Sequence, residues 1–312
     1  MKQYLTPKEL AETLDVSESS VKRWADEGRI AATRTGGGHR RIALEEAISF
    51  VRRTNASVSR PEALGFVETG SVPWQHLSEK ELEQQVFEAL VQGNSHEAFG
   101  LVHGPFLSGK PLAWVFDGPV RNAMHRLGEL WKHQGDGILL EHRATDICVQ
   151  AVMRIRLSLP VRPNSPVSVG GGGAGDPYLL PVLMATTVLR EVGMDDTNLG
   201  PQTPLSVFRE AVDRFHPRVV WLSVSVEQAA DSIRSELVKF ADDLFAQNAS
   251  LVVGGQAIGR LADLRHPNLT IGQSMAELSS FARGILAAVP PHGQANTGES
   301  SERIARRGRL PG

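Results

Sequence analysis

A glycine-rich run flanked by basic side chains constrains the fold of this chain most: Arg34-Thr35-Gly36-Gly37-Gly38-His39-Arg40-Arg41. The glycines permit the positive φ values that a tight hairpin tip needs. Two short helical patterns precede the run. Thr6 and Glu9 are spaced as a capping box that starts the first helix. Ser17 caps a second helix, which ends at Gly28. Two helices, a turn and a cationic hairpin in this order are typical of a winged helix-turn-helix, which binds DNA.

The candidates for DNA contact lie on the second helix and on the hairpin. A recognition helix presents short or forked polar side chains near its start, and the cations of a wing lie against phosphate. An ordinary charged surface on a small helical subdomain is the alternative, but the cations cluster on one helix and the hairpin. We therefore predict double-stranded DNA as a partner. The predicted contacts are Ser19, Ser20, Lys22, Arg23, Arg34, His39, Arg40 and Arg41.

The composition limits where and how such a protein works. The 312 residues carry a net charge of only −2, so affinity for DNA must come from a local patch. Cys148 is the one cysteine, which excludes an intrachain disulfide and favours a reducing compartment. No apolar run reaches the ~18 residues of a membrane span, and the N-terminus has no apolar signal core. We predict a cytoplasmic protein without a membrane partner.

Changes in periodicity divide the chain. Residues 55–73 have no sustained period and carry two prolines and two glycines, helical periodicity covers 75–157, and three prolines follow in 159–166. Strand-like runs then alternate with helical stretches, which predicts a parallel sheet with helices on both faces. The predicted class is multidomain α and α/β. Its parts are a winged helix-turn-helix DNA-binding head (1–55), a linker (56–73), a four-helix bundle (74–158), a Rossmann-like, flavodoxin-like parallel-sheet domain (166–289) and a disordered basic tail (290–312).

One motif in the bundle can surround a ligand. Trp131 lies near the end of one predicted helix, and Glu141-His142 follows near the start of the next. A hairpin of these helices would bring an indole face, a carboxylate and an imidazole around one small volume. Such a set suits a planar polar group such as a nucleoside. The alternative reading, a core tryptophan beside a solvated Glu-His pair, stays open on these residues alone.

The first 55 or so residues closely resemble the DNA-binding head of the MerR superfamily, through LTPKELAETLDVSESSVKRW and TGGGHRRI. This resemblance implies a transcriptional regulator that acts as a dimer or higher oligomer on repeated half-sites. The segment from Glu79 to Arg156, with GELWKHQGDGILLEH, resembles the bundle before the cobalamin-binding domain of light-responsive repressors of the CarH/LitR type. Carried over, Trp131 would cover the upper face of cobalamin, while Glu141 and His142 would contact its adenosyl group.

The α/β domain departs from this family at the cobalt ligand. In the family, Asp/Glu-x-His-x-x-Gly follows the first strand, and its histidine coordinates cobalt from below. The matching stretch here is Asp176-Pro177-Tyr178-Leu179-Leu180-Pro181. Asp176 matches, but Tyr178 stands at the histidine position, and a neutral tyrosine is a poor cobalt ligand. The metal ligand, if any, is therefore unknown.

Two further elements of the cobalamin groove are present in part. Ser223-Val224-Ser225 resembles the Ser-x-Leu element that receives the nucleotide tail, and Gly254-Gly255 matches the paired glycines beside it. Three cases remain for the domain. It binds cobalamin (as adenosylcobalamin) without the lower histidine, it binds another ligand, or it binds none and serves oligomer contacts. The resemblance implies cofactor contacts at Asp176, Tyr178, Ser223, Ser225, Gly254 and Gly255.

These observations predict a transcriptional regulator, a repressor, whose cobalamin-type sensory domain controls oligomerisation and thereby DNA binding, with light as a candidate signal. Thermodynamic linkage would couple the sensory domain to DNA affinity, because the oligomeric state sets how many heads bind DNA at once. The expected assembly is a homo-dimer or homo-tetramer. The alternative is a cobalamin-independent regulator that senses another ligand or a protein partner.

An enzyme is the alternative from another class, and the sequence argues against it. The glycines of Gly170-x-Gly172-x-x-Gly175, with Asp195 about twenty residues on, formally fit a dinucleotide-binding fingerprint. A glycine run satisfies many patterns by chance, however. An NAD- or cobalamin-using enzyme would also need a substrate domain, and no catalytic arrangement stands out. We predict that the protein is not an enzyme.

Overall fold

The computed structural model describes residues 3–66, 74–131, 137–162 and 164–288, with the backbone alone at 130 and 131. The predicted tail 290–312 lies outside the described residues. No helix within the described ranges is long and apolar enough to cross a membrane. The helices and strands are β1 (Tyr4–Leu5), α1 (Pro7–Leu14), α2 (Glu18–Asp26), β2 (Thr33–Arg34), β3 (Arg40–Ala43), α3 (Leu44–Thr54), α4 (Glu79–Gln92), α5 (Ser95–Leu107), α6 (Leu112–Val115), α7 (Arg121–Trp131), α8 (Gly137–Ser158), β4 (Val167–Gly172), α9 (Leu179–Val192), β5 (Asp195–Asn198), α10 (Leu205–Phe215), β6 (Val219–Ser223), α11 (Glu227–Ala246), β7 (Ser250–Gly254), β8 (Leu269–Ile271) and α12 (Met275–Ala288).

Local signals form the head as the sequence predicts. The Thr6 hydroxyl accepts the Glu9 N–H at 3.2 Å, and the Glu9 carboxylate accepts the Thr6 N–H at 2.8 Å, which completes the capping box. Ser17 caps α2 by accepting the Ser20 N–H at 3.2 Å. β3 pairs with β1 and with β2, both antiparallel, so β2 and β3 form the wing hairpin. Of the three tip glycines, Gly38 alone has a positive φ, of 80°.

Four helices form the bundle. α4 packs on α5 and α7, and α8 packs on the same two helices and closes the ring. The helical periodicity of 75–157 predicts one continuous helix over 113–133, but the structure interrupts it, because α6 leads into a π-helical turn at Phe116–Val120 before α7 begins. Pro119 lies in this turn and has no N–H for a helical hydrogen bond. The buried core of the bundle includes Val86, Phe106 and Val152.

Part of the predicted linker packs against the bundle. Pro61–Leu64 forms a 3-10 turn, and Leu64 and Phe66 are buried in a core that continues from the head into the bundle. The Phe66 ring centroid lies 5.0 Å from that of His103 on α5. Residues 67–73 of the expected linker lie outside the described residues. Apolar contacts therefore hold the head against the bundle.

The α/β part is a parallel sheet of five strands in the order β5-β4-β6-β7-β8. α10 and α11 cover one face, and α9 and α12 cover the other. The strand-like runs of the sequence, at 167–170, 219–226 and 251–254, predict β4, β6 and β7. They miss β5, whose residues DDTN are polar, and β8, which has 3 residues. The strand order reverses between β4 and β6, and open parallel sheets bind ligands at such a point, outside the carboxyl ends of the strands.

Buried polar contacts join the bundle to the α/β part. The Asp196 side chain on β5 is 1% exposed and pairs with Arg156 of α8 and, at 2.6 Å, with Arg190 of α9. Asp117 lies in the π-helical turn, and its carboxylate accepts the first two N–H groups of α12 at 2.8 and 2.9 Å. Both contacts fix the bundle relative to the sheet.

Arg52, near the end of α3, contacts all three parts of the chain. Its guanidinium pairs with Glu191 of α9 and lies 4.0 Å from the ring centroid of Phe106 on α5. The Glu191 carboxylate also accepts the N–H of Leu112, the first residue of α6, at 2.9 Å. The two charged side chains are 15% and 11% exposed, so the ion pair is largely buried. The head, the bundle and α9 therefore meet at one ion pair.

Candidate functional site

The predicted recognition helix, α2, presents its polar residues to solvent. Ser19, Lys22 and Arg23 are exposed, and Ser20 is half-buried. The Ser17 hydroxyl lies 2.8 Å from that of Ser19 and 2.9 Å from that of Ser20, so three hydroxyls cluster at the start of the helix. Short hydroxyl side chains at this end suit contact with base edges in a major groove.

Both cations of α2 have acidic neighbours on their own helix turn. Lys22 Nζ lies 2.8 Å from the Glu18 carboxylate, and Arg23 Nε lies 3.8 Å from that of Glu27. The hydrogen bond from Lys22 lowers the pKa of the Glu18 carboxyl below its ordinary value. These pairs are exposed, so breaking them costs little free energy, and both cations are available to an anion such as phosphate.

The wing cations divide into two groups. Arg34 and His39 are exposed, and Arg41 is half-buried on β3. Arg40 instead donates to the carboxylate of Asp26, the last residue of α2, at 2.5 Å, and its side chain is 20% exposed. Arg34 also approaches Asp26, at 3.9 Å. Asp26 therefore ties the wing to α2, a role that sequence reasoning missed because Asp26 and Arg40 belong to different elements of the chain.

The Glu-His pair of the bundle lies on the surface. The His142 side chain is 75% exposed, and its Nε2 lies 3.6 Å from the carboxylate of Glu141, which is 26% exposed. Glu141 also accepts the Thr145 hydroxyl at 3.2 Å. The Trp131 side chain and the connection 132–136 lie outside the described residues, so the grouping of indole, carboxylate and imidazole remains a prediction.

At the carboxyl edge of the sheet, Asp176 links two loops. This residue is fully buried, and one carboxylate oxygen accepts the Ser225 N–H at 2.5 Å while the other accepts the Tyr178 N–H at 3.1 Å. The loops after β4 and β6 are thereby fixed to each other. Tyr178 precedes α9 and is 46% exposed. The structure thus brings Asp176, Tyr178 and Ser225 together, and their contact with a cofactor stays a prediction.

The other predicted cofactor contacts lie in the same region. Ser223 ends β6, is 6% exposed, and pairs in register with Gly254 of β7. Gly255 has a φ of 117°, and a Cβ there would lie 2.3 Å from the Val224 carbonyl oxygen. The chain's own backbone therefore occupies the close approach that Gly255 permits. Gly254 also lies close to neighbouring backbone, because a Cβ there would lie 3.1 Å from the Gly272 carbonyl oxygen.

These residues do not fit a cobalamin held through a protein ligand. Tyr178 offers no imidazole at the position where the family coordinates cobalt. Backbone N–H groups already engage both carboxylate oxygens of Asp176. Within the described ranges, no group of three or more His, Cys, Asp or Glu side chains is arranged to hold a metal ion. The sheet edge has the fold of such a site without its ligand chemistry.

Comparison with known proteins supports the head and the fold. A family profile described as a helix-turn-helix domain matches residues 4–53. No curated protein matches the sequence. The monomethylamine corrinoid protein of Methanosarcina barkeri is 14% identical with a TM-score of 0.52, and the alignment covers 67% of this chain and 100% of that one.

Two further structures align less well. The methanol:cobalamin methyltransferase complex MtaBC of Methanosarcina barkeri is 16% identical (TM-score 0.34), with coverage of 76% of this chain and 92% of that one. A cobalamin-binding protein of Desulfitobacterium hafniense DCB-2 is 17% identical (TM-score 0.32), with coverage of 66% and 98%. The shared fold rests on the monomethylamine corrinoid protein, whose TM-score exceeds 0.5. The α/β part therefore has a Rossmann-like fold that it shares with a corrinoid protein.

Proposed function

We propose that this protein is a DNA-binding transcriptional regulator rather than an enzyme. The observation that carries the proposal is the helix-turn-helix match over residues 4–53, combined with exposed polar and cationic side chains on α2 and the wing. In this proposal α2 enters the major groove, where Ser19 and Ser20 face base edges. Arg34, His39 and Arg41 face phosphate, and such contacts supply affinity without sequence preference.

In this proposal the main role of Arg40 is to position the wing relative to α2. Its pairing with Asp26 holds the wing at a fixed angle to α2, so that helix and hairpin reach the duplex together. The Asp26 carboxylate also lies where DNA phosphates would approach, which makes it an unfavourable neighbour for DNA. The same residue therefore aligns the wing and limits affinity.

The bundle and the α/β part regulate the head in this proposal, and they do so independently of cobalamin. The resemblance to the CarH/LitR type supports repression by a cytoplasmic homo-oligomer, in which several heads bind neighbouring half-sites and gain avidity. The residues at the sheet edge do not support cobalt coordination, so no light-dependent step is part of the proposal. Self-association or a protein partner is the signal that we propose.

The experiment uses the full chain and duplexes that it selects from a pool of random sequence. Fluorescence anisotropy then gives Kd over a range of salt concentrations for the wild type and for Arg34→Ala/Arg41→Ala. Loss of two phosphate contacts should make the negative slope of log K against log salt shallower by about 1.8. Lys239→Ala, an exposed cation on α11, is the matched control and leaves the slope unchanged.

Two results would contradict the proposal. One is that the wild-type chain enriches no duplex, and the other is that the double variant keeps the wild-type salt slope and affinity. Sedimentation of the wild-type chain with and without selected duplex tests the oligomer separately. A strict monomer on a duplex that carries two half-sites would remove self-association from the proposal and leave DNA binding intact.

A further inference from the structure

An indole occupies the middle of the central sheet. Trp221 on β6 is 2% exposed and lies beside Gly170 of β4 in the strand register. Its ring covers Gly170 so closely that a Cβ on that glycine would lie 2.1 Å from two ring carbons. No side chain fits at position 170 while the indole keeps its place. Trp221 and Gly170 are therefore a complementary pair.

The indole fills space between the sheet and two helices. It belongs to a buried cluster with Val182 and Ala185 of α9 and with Leu278 and Ala282 of α12. Its Nε1–H is buried and has no hydrogen-bond partner among the described residues. A buried donor without a partner costs free energy, so hydrogen bonding does not favour tryptophan at this position. The volume and aromatic surface of the indole favour it instead.

The same face of the sheet continues to the predicted cofactor edge. Side chains alternate between the faces of a strand, so Ser223 follows Trp221 on one face, one step nearer the carboxyl edge. The register places Gly172 and Gly254 on either side of Ser223. The resemblance assigns Ser223 and Gly254 to the nucleotide tail of cobalamin. Gly170, which the indole covers, lies one same-face step behind Gly172, so the indole fills the interior space behind Gly172 and Ser223.

We propose that the Trp221 side chain permanently fills the interior space between the sheet, α9 and α12, which is called the slot below. It takes the volume that the heteroaromatic base of a corrinoid tail would need, so the α/β part keeps its packing with no bound corrinoid. Removal of the indole opens a site for a small, planar, uncharged heteroaromatic molecule. The proposal concerns the α/β part alone and does not depend on DNA binding.

The first test adds the missing cobalt ligand. Full-length wild type and Tyr178→His are incubated with hydroxocobalamin in darkness, desalted, and scanned for corrin absorbance. The proposal expects neither protein to retain a stoichiometric amount, because an imidazole at position 178 does not empty the slot. Stoichiometric retention by the wild type or by Tyr178→His would overturn the proposal.

The second test empties the slot. Trp221→Ala should melt about 10 °C lower than the wild type. Benzimidazole at about ten times its Kd should return about 3 °C of this loss. The wild type and Trp221→Phe, whose slot remains filled, should show no benzimidazole-dependent shift. Trp221→Leu replaces Trp221→Ala if the alanine variant does not fold. A smaller variant that folds and gains no more from benzimidazole than the wild type contradicts the proposal.

Discussion

His103 gives the bundle a pH-dependent stability whose size follows from its surroundings. The residue lies on α5, is 1% exposed, and packs against the rings of Phe66 and Phe99 with centroids 5.0 and 5.7 Å away. Its Nε2–H donates to the Ala151 carbonyl at 2.9 Å, while Nδ1 has no partner among the described residues. The pKa of His103 falls from 6.5 to about 4, chiefly because burial disfavours the charged imidazole; nearby Arg154 acts in the same direction, and the hydrogen bond to Ala151 opposes both.

The sign follows from proton linkage. Between the two pKa values the unfolded chain binds a proton on this imidazole and the folded chain does not, so unfolding becomes easier as pH falls. The contribution is fully present above the unfolded pKa of 6.5 and is lost as pH falls to about 4. A shift of this size corresponds to about 3 kcal/mol of unfolding free energy.

The assay is urea unfolding followed by circular dichroism between pH 7.5 and pH 4, on the wild type and on His103→Gln. Glutamine keeps an N–H that can donate to Ala151 but does not titrate. The other titrating groups are common to both proteins, so the difference between the two curves isolates His103. The wild type should lose about 3 kcal/mol more than the variant over this range. Parallel curves would refute the argument.

Three further outcomes are expected. Asp26→Asn should tighten binding to the selected duplexes at low salt, because it removes a carboxylate beside phosphate; unchanged or weaker binding by anisotropy would contradict this. Arg52→Ala should lower the unfolding free energy by about 3 kcal/mol, because it leaves the largely buried Glu191 carboxylate without its cationic partner. Arg53→Ala is the control for this variant. If urea unfolding shows the same loss of free energy for both variants, the Arg52–Glu191 ion pair does not contribute as argued. Gly170→Ala should cost about 3 kcal/mol or more through collision with Trp221, and a wild-type melting curve would exclude that contact.

The head was predictable because its signals are local. The capping box of Thr6 and Glu9 and the cap at Ser17 each depend on residues within three positions of one another. Backbone chemistry of this kind can be read from a short stretch of sequence. The wing hairpin likewise follows from its glycine tip. The candidate DNA contacts therefore came from the sequence, and the structure leaves five of them exposed, namely Ser19, Lys22, Arg23, Arg34 and His39.

The features that the sequence missed depend on distant partners. β5 is polar because Asp196 pairs with Arg156 and Arg190 from two other elements, and no period along β5 signals this. Trp221 lies opposite Gly170 only once the strand order is known. Asp26 likewise gains its meaning from Arg40 across the turn and the hairpin. Complementarity between residues remote in the chain carries no local pattern.

The position of α9 has a consequence for communication within the molecule. This helix starts beside Tyr178 at the sheet edge, and near its far end Glu191 binds both Arg52 of α3 and the first N–H of α6. A helix is stiff along its axis, so its two ends move together. In the regulator proposed above, a tilt of α9 at the sheet edge would displace the Glu191 carboxylate and with it Arg52 of the head, so that one helix would couple the two ends mechanically.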